Sequence, residues 1–228
     1  YERYTQRIVE NEPDKKDSLV IYDPSAGWGG RLLGAMCIRD NRTVHYIGTD
    51  PNTDHLIKDG DSTKYDDLGE FYNTRTNRGK SLFPHIHSFQ IFREGSECIR
   101  GVPEFERFRG KVDLVFTSPP YFAKEAYSDD LSQSYKKFGQ YDRWREGFLR
   151  PTLETCVEWL KSNRYLLWNI ADAKFGKDIL PLEQDSRDIL ESLGMKYIET
   201  LKMTLAQMPG GNRIDTETGK PKAKNFCK

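Results

Sequence analysis

Short apolar runs recur along the chain, and each is closed by a turn signal and followed by a stretch of helical character. Residues 19–22 lead into Asp23-Pro24 and a glycine-rich bend, and 44–49 into Asp50-Pro51-Asn52. Residues 86–92 lead into the polar stretch 94–97, and 112–117 into Ser118-Pro119-Pro120-Tyr121. Further strands are expected over 164–170 and 196–205. Helices are expected over 31–38, 54–72, 144–160 (kinked or broken at Pro151) and 179–193. Such alternation specifies an α/β domain with a mainly parallel, twisted sheet and helices on both faces. Ligands of such sheets sit beyond the carboxyl ends of the strands, where the strand order reverses. The turns at 23–30, Asp50, 94–97 and 118–121 all fall at that edge.

Composition excludes several classes. Lys plus Arg and Asp plus Glu each number 35 among 228 residues, so a nucleic-acid partner would have to be held by local basic patches. A mean hydropathy of −0.76, with no apolar run long enough for a bilayer, excludes a membrane-embedded chain. Cys37, Cys98, Cys156 and Cys227 form no metal-ligand spacing and read as free thiols in a reducing cytoplasm. A first residue other than Met and a polar end suggest a segment of a longer polypeptide. The expected division is a catalytic domain over 1–205 and a pliable basic tail over 206–228 that continues beyond the sequence.

Gly27 and Gly29 let the backbone approach a ligand closely, because no Cβ intervenes. Asp50 closes the next strand about 20 residues on, where a carboxylate can accept bonds from both ribose hydroxyls. The plainer reading of Asp50-Pro51 is a helix cap. A dinucleotide fingerprint needs a third glycine where Leu32 stands. Asp23, at the end of the first strand, repels phosphate and attracts an amine. A ligand that is cationic and free of phosphate fits this bend, and S-adenosylmethionine is one.

The second feature is Ser118-Pro119-Pro120-Tyr121, directly after a buried strand. Consecutive prolines cannot continue a central strand, so the chain turns out there on a stiff platform. Its carbonyls face a ligand without competing N–H donors, and Tyr121 offers a flat face. The plainer reading is a rigid loop with a packing tyrosine.

Together these motifs resemble the S-adenosylmethionine-dependent amino-methyltransferases of DNA, which act on adenine N6 or cytosine N4. The family's [D/N/S]-P-P-[Y/F/W] motif stands as Ser118 to Tyr121, and its cofactor motif as Asp23-Pro24-Ser25-Ala26-Gly27-Trp28-Gly29. The likeness runs over about residues 19–205 and implies a Rossmann-like class I methyltransferase fold. It implies that Asp23, Pro24, Ser25, Ala26, Gly27 and Gly29 line the methionine part of the cofactor. Asp50 would then hold the ribose, Pro51 or Asn52 would pack on the adenine, and Ser96 or Glu97 would lie near its amine. Family members often carry Asp at that third place, and Gly95-Ser96-Glu97 departs from this. Ser118, Pro119, Pro120 and Tyr121 would be the catalytic platform, with Phe122 assisting, and the partner would be DNA. The motif does not separate adenine from cytosine.

Residues 123–150 mix aromatics with Lys136, Lys137 and three arginines, and read as a loop that closes over an extruded base and holds phosphates. Residues 127–134 look like a pattern that accompanies the platform in phage and bacterial members. Asn169 ends the fifth strand and is a candidate for the base pocket. The family's last, antiparallel strand is not evident, nor is a separate recognition region. Related platforms act on guanine amines in RNA and on protein amides, and an inactive nucleic-acid-binding module is a further alternative. Restriction–modification, phage self-protection and regulation all stay open as roles.

Overall fold

A computed structural model of the chain describes residues 1–11, 18–38, 42–52, 55–56, 62–76, 87–124 and 130–202. Five strands form one sheet: β1 (Ser18–Asp23), β2 (Thr43–Thr49), β3 (Ser88–Phe92), β4 (Val112–Thr117) and β5 (Leu160–Trp168). All neighbours are parallel, in the order β3-β2-β1-β4-β5. This is a Rossmann-like α/β fold. The chain builds outward from β1 through β2 to β3, then returns to lay β4 and β5 on the other side. The order therefore reverses between β1 and β4, and a crevice opens at their carboxyl ends.

The central strands are apolar on both faces, which is why they read as near-continuous runs. Leu19, Ile21, Val44, Tyr46 and Leu114 face one core. It is covered by α1 (Glu2–Asn11), α2 (Gly30–Met36) and α3 (Lys64–Thr76), through Tyr4, Ile8, Leu32, Met36 and Tyr65. Tyr22, Ile47, Val112 and Val115 face the other core, with Phe105 of α4 (Pro103–Glu106) and Trp159 of α7 (Arg150–Trp159). Each such side chain contributes about 1.5–3 kcal/mol by leaving water. At the amino end of β4, buried Asp113 accepts from Val20 N–H (3.0 Å), Lys161 Nζ (2.6 Å) and Arg164 Nε (3.4 Å), and so fastens β1, β4 and β5 together.

A third core lies under the platform. A 3-10 turn (Phe122–Lys124), α5 (Ser134–Phe138), α6 (Tyr141–Trp144), a π turn (Arg145–Leu149), α7 and α8 (Leu182–Ser192) bury Phe122, Trp144, Phe148, Leu153, Leu182 and Ile189 together. An antiparallel hairpin of β6 (Ala173–Phe175) and β7 (Asp178–Leu180) adds Ala173.

Several boundaries differ from those read in the sequence. The helix expected over 54–72 starts at Lys64, because Thr63 and Asp66 cap it reciprocally: Thr63 N–H donates to Asp66 Oδ2 (2.7 Å) and Asp66 N–H to Thr63 Oγ1 (3.3 Å). The helix expected from 179 starts at Leu182, since β7 and Pro181 take the residues before it. No break occurs at Pro151. The π turn precedes it, and Pro151 stands in the first turn of α7, where its missing N–H is not needed. The strand expected from 164 begins at Leu160, directly after α7. No element is read over 1–18, where α1 forms on the spacing of Tyr4 and Ile8.

The chain divides into two compact units, 1–196 and 197–228. In the second unit residues 197–202 are described and form no helix or strand, with the hydroxyls of Tyr197 and Thr200 2.7 Å apart. The sixth strand expected over 196–205 is thus not formed at 196–202, where Tyr197, Ile198 and Leu201 are exposed and no buried face supports one. Residues 203–205 and the tail 206–228 lie outside the described residues. Among those described, no helix is long and apolar enough to cross a membrane.

Candidate active site at the strand switch point

β1 ends in Asp23, which is fully buried. Its Oδ1 accepts from Ser25 N–H (3.1 Å) and the Thr117 hydroxyl (2.7 Å). Its Oδ2 accepts from Arg31 Nε (2.6 Å) and the Tyr46 hydroxyl (2.5 Å). A carboxylate offers about four acceptor positions, so this set saturates it. The donors come from the bend, β4, α2 and β2, and Asp23 ties the ends of three adjacent strands together. Burial by itself would lower the Arg31 pKa, but the charge and hydrogen bond of Asp23 outweigh it and hold the guanidinium above its ordinary value.

The glycine bend is clamped to β2. Ala26 N–H donates to Thr49 O (3.0 Å), and the Thr49 hydroxyl to Pro24 O (2.8 Å). Gly29 has φ +79°, and a Cβ there would lie 2.8 Å from Leu68 Cδ2, so glycine is required twice over. The Tyr65 hydroxyl donates to Gly27 O. Asp50 follows β2 and accepts from Gly27 N–H at Oδ2 (2.7 Å) and from Asn52 N–H at Oδ1 (2.9 Å). Burial raises its pKa above the ordinary 3.8, and these backbone bonds only partly offset the rise.

After β3, the Ser96 hydroxyl lies 2.8 Å from that of Thr152, and the nearly buried Glu97 carboxylate receives Lys137 Nζ at 2.7 Å. Burial pulls the Lys137 pKa down, but the hydrogen bond and charge of Glu97 lift it above 10.5. Two residues given separate tasks by the sequence, Glu97 at the cofactor adenine and Lys137 at DNA phosphate, are thus one ion pair. Lys136 lies over the Tyr135 ring, 6.0 Å from its centroid.

β4 runs straight into the platform. The Tyr121 hydroxyl donates to Asn169 O (3.3 Å), and Asn169 N–H donates to Thr117 O (2.9 Å), so the ends of β4 and β5 brace each other. Phe122 is buried, with its ring edge-on to Tyr141, Trp144 and Phe175. Its place is in the third core.

One pocket opens at this edge. Its wall includes Pro24, Ser25, Gly27, Asp50, Pro51, Asn52, Ser96 and Glu97 on the side of β1 to β3, and Ser118 and Pro120 on the side of β4. Asp23, Ala26, Gly29, Pro119, Tyr121, Phe122, Lys136, Lys137 and Asn169 stand outside this wall. The wall also holds residues not singled out individually in the sequence: Trp28, Arg31, His55, Gly95 and, from the stretch read as closing over a base, Ser132, Gln133, Ser134 and Phe148. The last four belong to the stretch that follows the platform, and the Ser132 hydroxyl is buried with no hydrogen-bond partner among the described residues. A lone arginine eight positions after Asp23 was the one available signal for Arg31.

A parallel sheet of this order, with a glycine bend after β1, a carboxylate after β2 and a Pro-Pro corner after β4, defines a Rossmann-like methyltransferase domain. A family described as DNA methylase, the N6/N4 type, matches residues 112–226, half of the chain, and the chain belongs to this family. The match starts with β4 and takes in the platform, while the glycine bend and Asp50 precede it. Among solved structures, the chain is similar to an antibiotic-related methyltransferase, with 14% identity and a TM-score of 0.43 over 87% of this chain and 77% of that one. It is also similar to MNMC2 from Aquifex aeolicus, with 19% identity and a TM-score of 0.39 over 83% of this chain and 51% of the other, so it spans about half of that protein. No curated protein matches the chain.

Proposed function

We propose that the protein transfers a methyl group from S-adenosylmethionine to the exocyclic amine of a base in DNA, adenine N6 or cytosine N4. The observation that carries this reading is that Gly27 and Asp50 share one pocket wall with Ser118 and Pro120. The hydrogen bond from Thr117 to Asp23 supports it, because it joins the strand end that leads into the glycine bend to the one that leads into the platform.

The wall suits this donor. With Glu97 neutralised by Lys137, Asp50 is the wall carboxylate that makes it a poorer setting for a pyrophosphate than for a cationic, phosphate-free ligand. Asp50 Oδ2 accepts from Gly27 N–H and, at 3.4 Å, from the Tyr65 hydroxyl, while Oδ1 accepts from Asn52 N–H and would keep lone-pair capacity for a ribose hydroxyl. Gly27 and Ser25 would border the methionine part, and Pro51 and Asn52 the adenine. When bound, the cofactor supplies an electrophilic methyl group on a cationic sulfur.

The chain's own task is then positioning. An aromatic amine is a poor nucleophile while its lone pair is delocalised into the ring. The Ser118 side chain and the Pro119 carbonyl would accept its two hydrogens and favour a pyramidal nitrogen with a localised lone pair. Tyr121 would stack on the base, which must leave the duplex to reach the pocket. The alternative at cytosine carbon 5 requires a thiolate nucleophile. None of Cys37, Cys98 and Cys156 stands in the wall, and burial pushes the thiols of Cys98 and Cys156 up, away from the thiolate form.

The test is transfer of a tritiated methyl group from the cofactor to duplex DNA, RNA and protein, followed by digestion of labelled DNA to nucleosides. Label in N6-methyladenine or N4-methylcytosine is expected. Label only in RNA or protein, or cofactor binding without any transfer, would overturn the proposal.

A further inference from the structure

S-Adenosylmethionine carries one anionic group, the carboxylate of its methionine end, and a carboxylate drawn into a pocket needs a cationic or hydrogen-bonding partner. Asp23 cannot help, since it is an anion, is fully buried and already accepts four hydrogen bonds. Lys137 is paired with Glu97 and stands outside the wall. Among the wall residues Arg31 is the one lysine or arginine.

Arg31 is also pre-organised. Its Nε is held on Asp23 and its Nη2 on Ser25 O, which leaves Nη1 as the nitrogen without a partner among the described residues. Its side chain keeps 22% of its exposure, beside Ser25 and Gly27 in the wall. Asp23 and Arg31 together are neutral, as are Glu97 and Lys137. The remaining wall carboxylate is Asp50, and its single negative charge complements the net single positive charge of a zwitterionic amino acid joined to a sulfonium.

We infer that Arg31 is the residue that recognises the carboxylate of the methyl donor, with Asp23 acting as the anchor that holds its guanidinium in place. The inference rests on the proposed function, because it assigns a residue to that same cofactor. Arginine suits the task because its fork satisfies Asp23, a backbone carbonyl and a third acceptor at once.

Calorimetry with three adenosine thioethers tests it: S-adenosylhomocysteine, its decarboxylated analogue with a 3-aminopropyl arm, and 5′-methylthioadenosine. The wild-type protein should bind S-adenosylhomocysteine about 10- to 100-fold more tightly than the decarboxylated analogue, the range expected for a charged hydrogen bond. Arg31→Gln should abolish that preference while leaving affinity for the decarboxylated analogue within about twofold. Should Arg31→Gln fail to fold because the buried Asp23 charge is left without its cation, the Asp23→Asn/Arg31→Gln double variant removes both charges and is expected to show the same loss of preference. A preference for the carboxylate that survives in either folded variant overturns the inference and leaves the proposed function standing. Failure of the wild-type protein to bind any of the three overturns both.

Discussion

Replacing Thr117 with Val tests whether Asp23 is the tie between the two halves of the site. The exchange keeps the β-branched shape in β4 and removes the hydroxyl that donates to Asp23 Oδ1 at 2.7 Å. That oxygen keeps only the Ser25 N–H, and Oδ2 keeps Arg31 and Tyr46. A hydrogen bond to a charged group contributes about 1.5–3 kcal/mol, and both partners are fully buried here, so water cannot replace the lost donor. At roughly 2–4 °C per kcal/mol for a chain of this size, the melting temperature should fall by about 3–12 °C. Thr117→Ser retains the hydroxyl and should recover most of the loss. Because Thr117 immediately precedes Ser118, kcat for DNA methylation should fall in Thr117→Val at temperatures where the variant is still folded. Urea unfolding monitored by circular dichroism measures the stability term. A loss below about 0.5 kcal/mol, equal in the Val and Ser variants, would show that Asp23 does not depend on this bond.

The two half-sites should respond separately. Pro119→Ala and Tyr121→Ala should each lower kcat by about 10²-fold with little change in cofactor affinity, and Asp50→Ala should weaken cofactor binding instead. Equal effects on both quantities in all three variants would contradict that division. The raised pKa of Asp50 gives a pH test. A carboxyl group whose folded pKa is raised favours the unliganded native state below its ordinary value of 3.8, and that contribution is lost as pH rises through the folded pKa. A ribose that needs the carboxylate should therefore bind more tightly as pH rises through the same window, and Asp50→Asn should flatten the profile in calorimetry. Lys137→Ala should lower stability by roughly 1–3 kcal/mol, because Glu97 is left nearly buried and unpaired. An unchanged melting temperature with a weaker salt dependence of DNA binding would return Lys137 to a role at phosphate.

The sheet was legible where burial on both faces writes itself into the sequence as continuous apolar runs, as over 19–22 and 112–117. The glycine bend was legible because Gly27 and Gly29 sit at φ values that other residues avoid. Features that depend on distant partners were not. Glu97 and Lys137 are 40 residues apart, and either alone reads as an ordinary surface charge. Arg31 reads as the start of a helix until the chain folds it back onto Asp23. No element is read over β6, and the expected helix takes in Ile179 and Leu180 of β7, because strands of three residues are too short to show an alternation. The stretch after the platform is read in the sequence as a whole, and the structure shows which of its residues, Ser132, Gln133 and Ser134, form wall together with Ser118, a placement that depends on packing of the third core rather than on local pattern.

That third core explains how a corner of two prolines can be held in one orientation. Phe122 adopts φ 52°, in the left-handed region, which costs a residue with a side chain roughly 1–2 kcal/mol. The cost is offset by burial of its ring against Tyr141, Trp144 and Phe175, which brings helix and hairpin residues onto the exit from the platform. The π turn ahead of Pro151 leads from Trp144 into α7, and α7 places Thr152 against Ser96 and Trp159 against Phe105. The glycine-bend side of the pocket is thus built on the sheet through Asp23, while the platform side is built on a separate helical core that meets the sheet at the ends of β4 and β5. Two supports joined at one edge let the platform be set by its own packing, while the bond between Thr117 and Asp23 ties it to the end of β1 and, on the proposed function, would keep it in register with the cofactor.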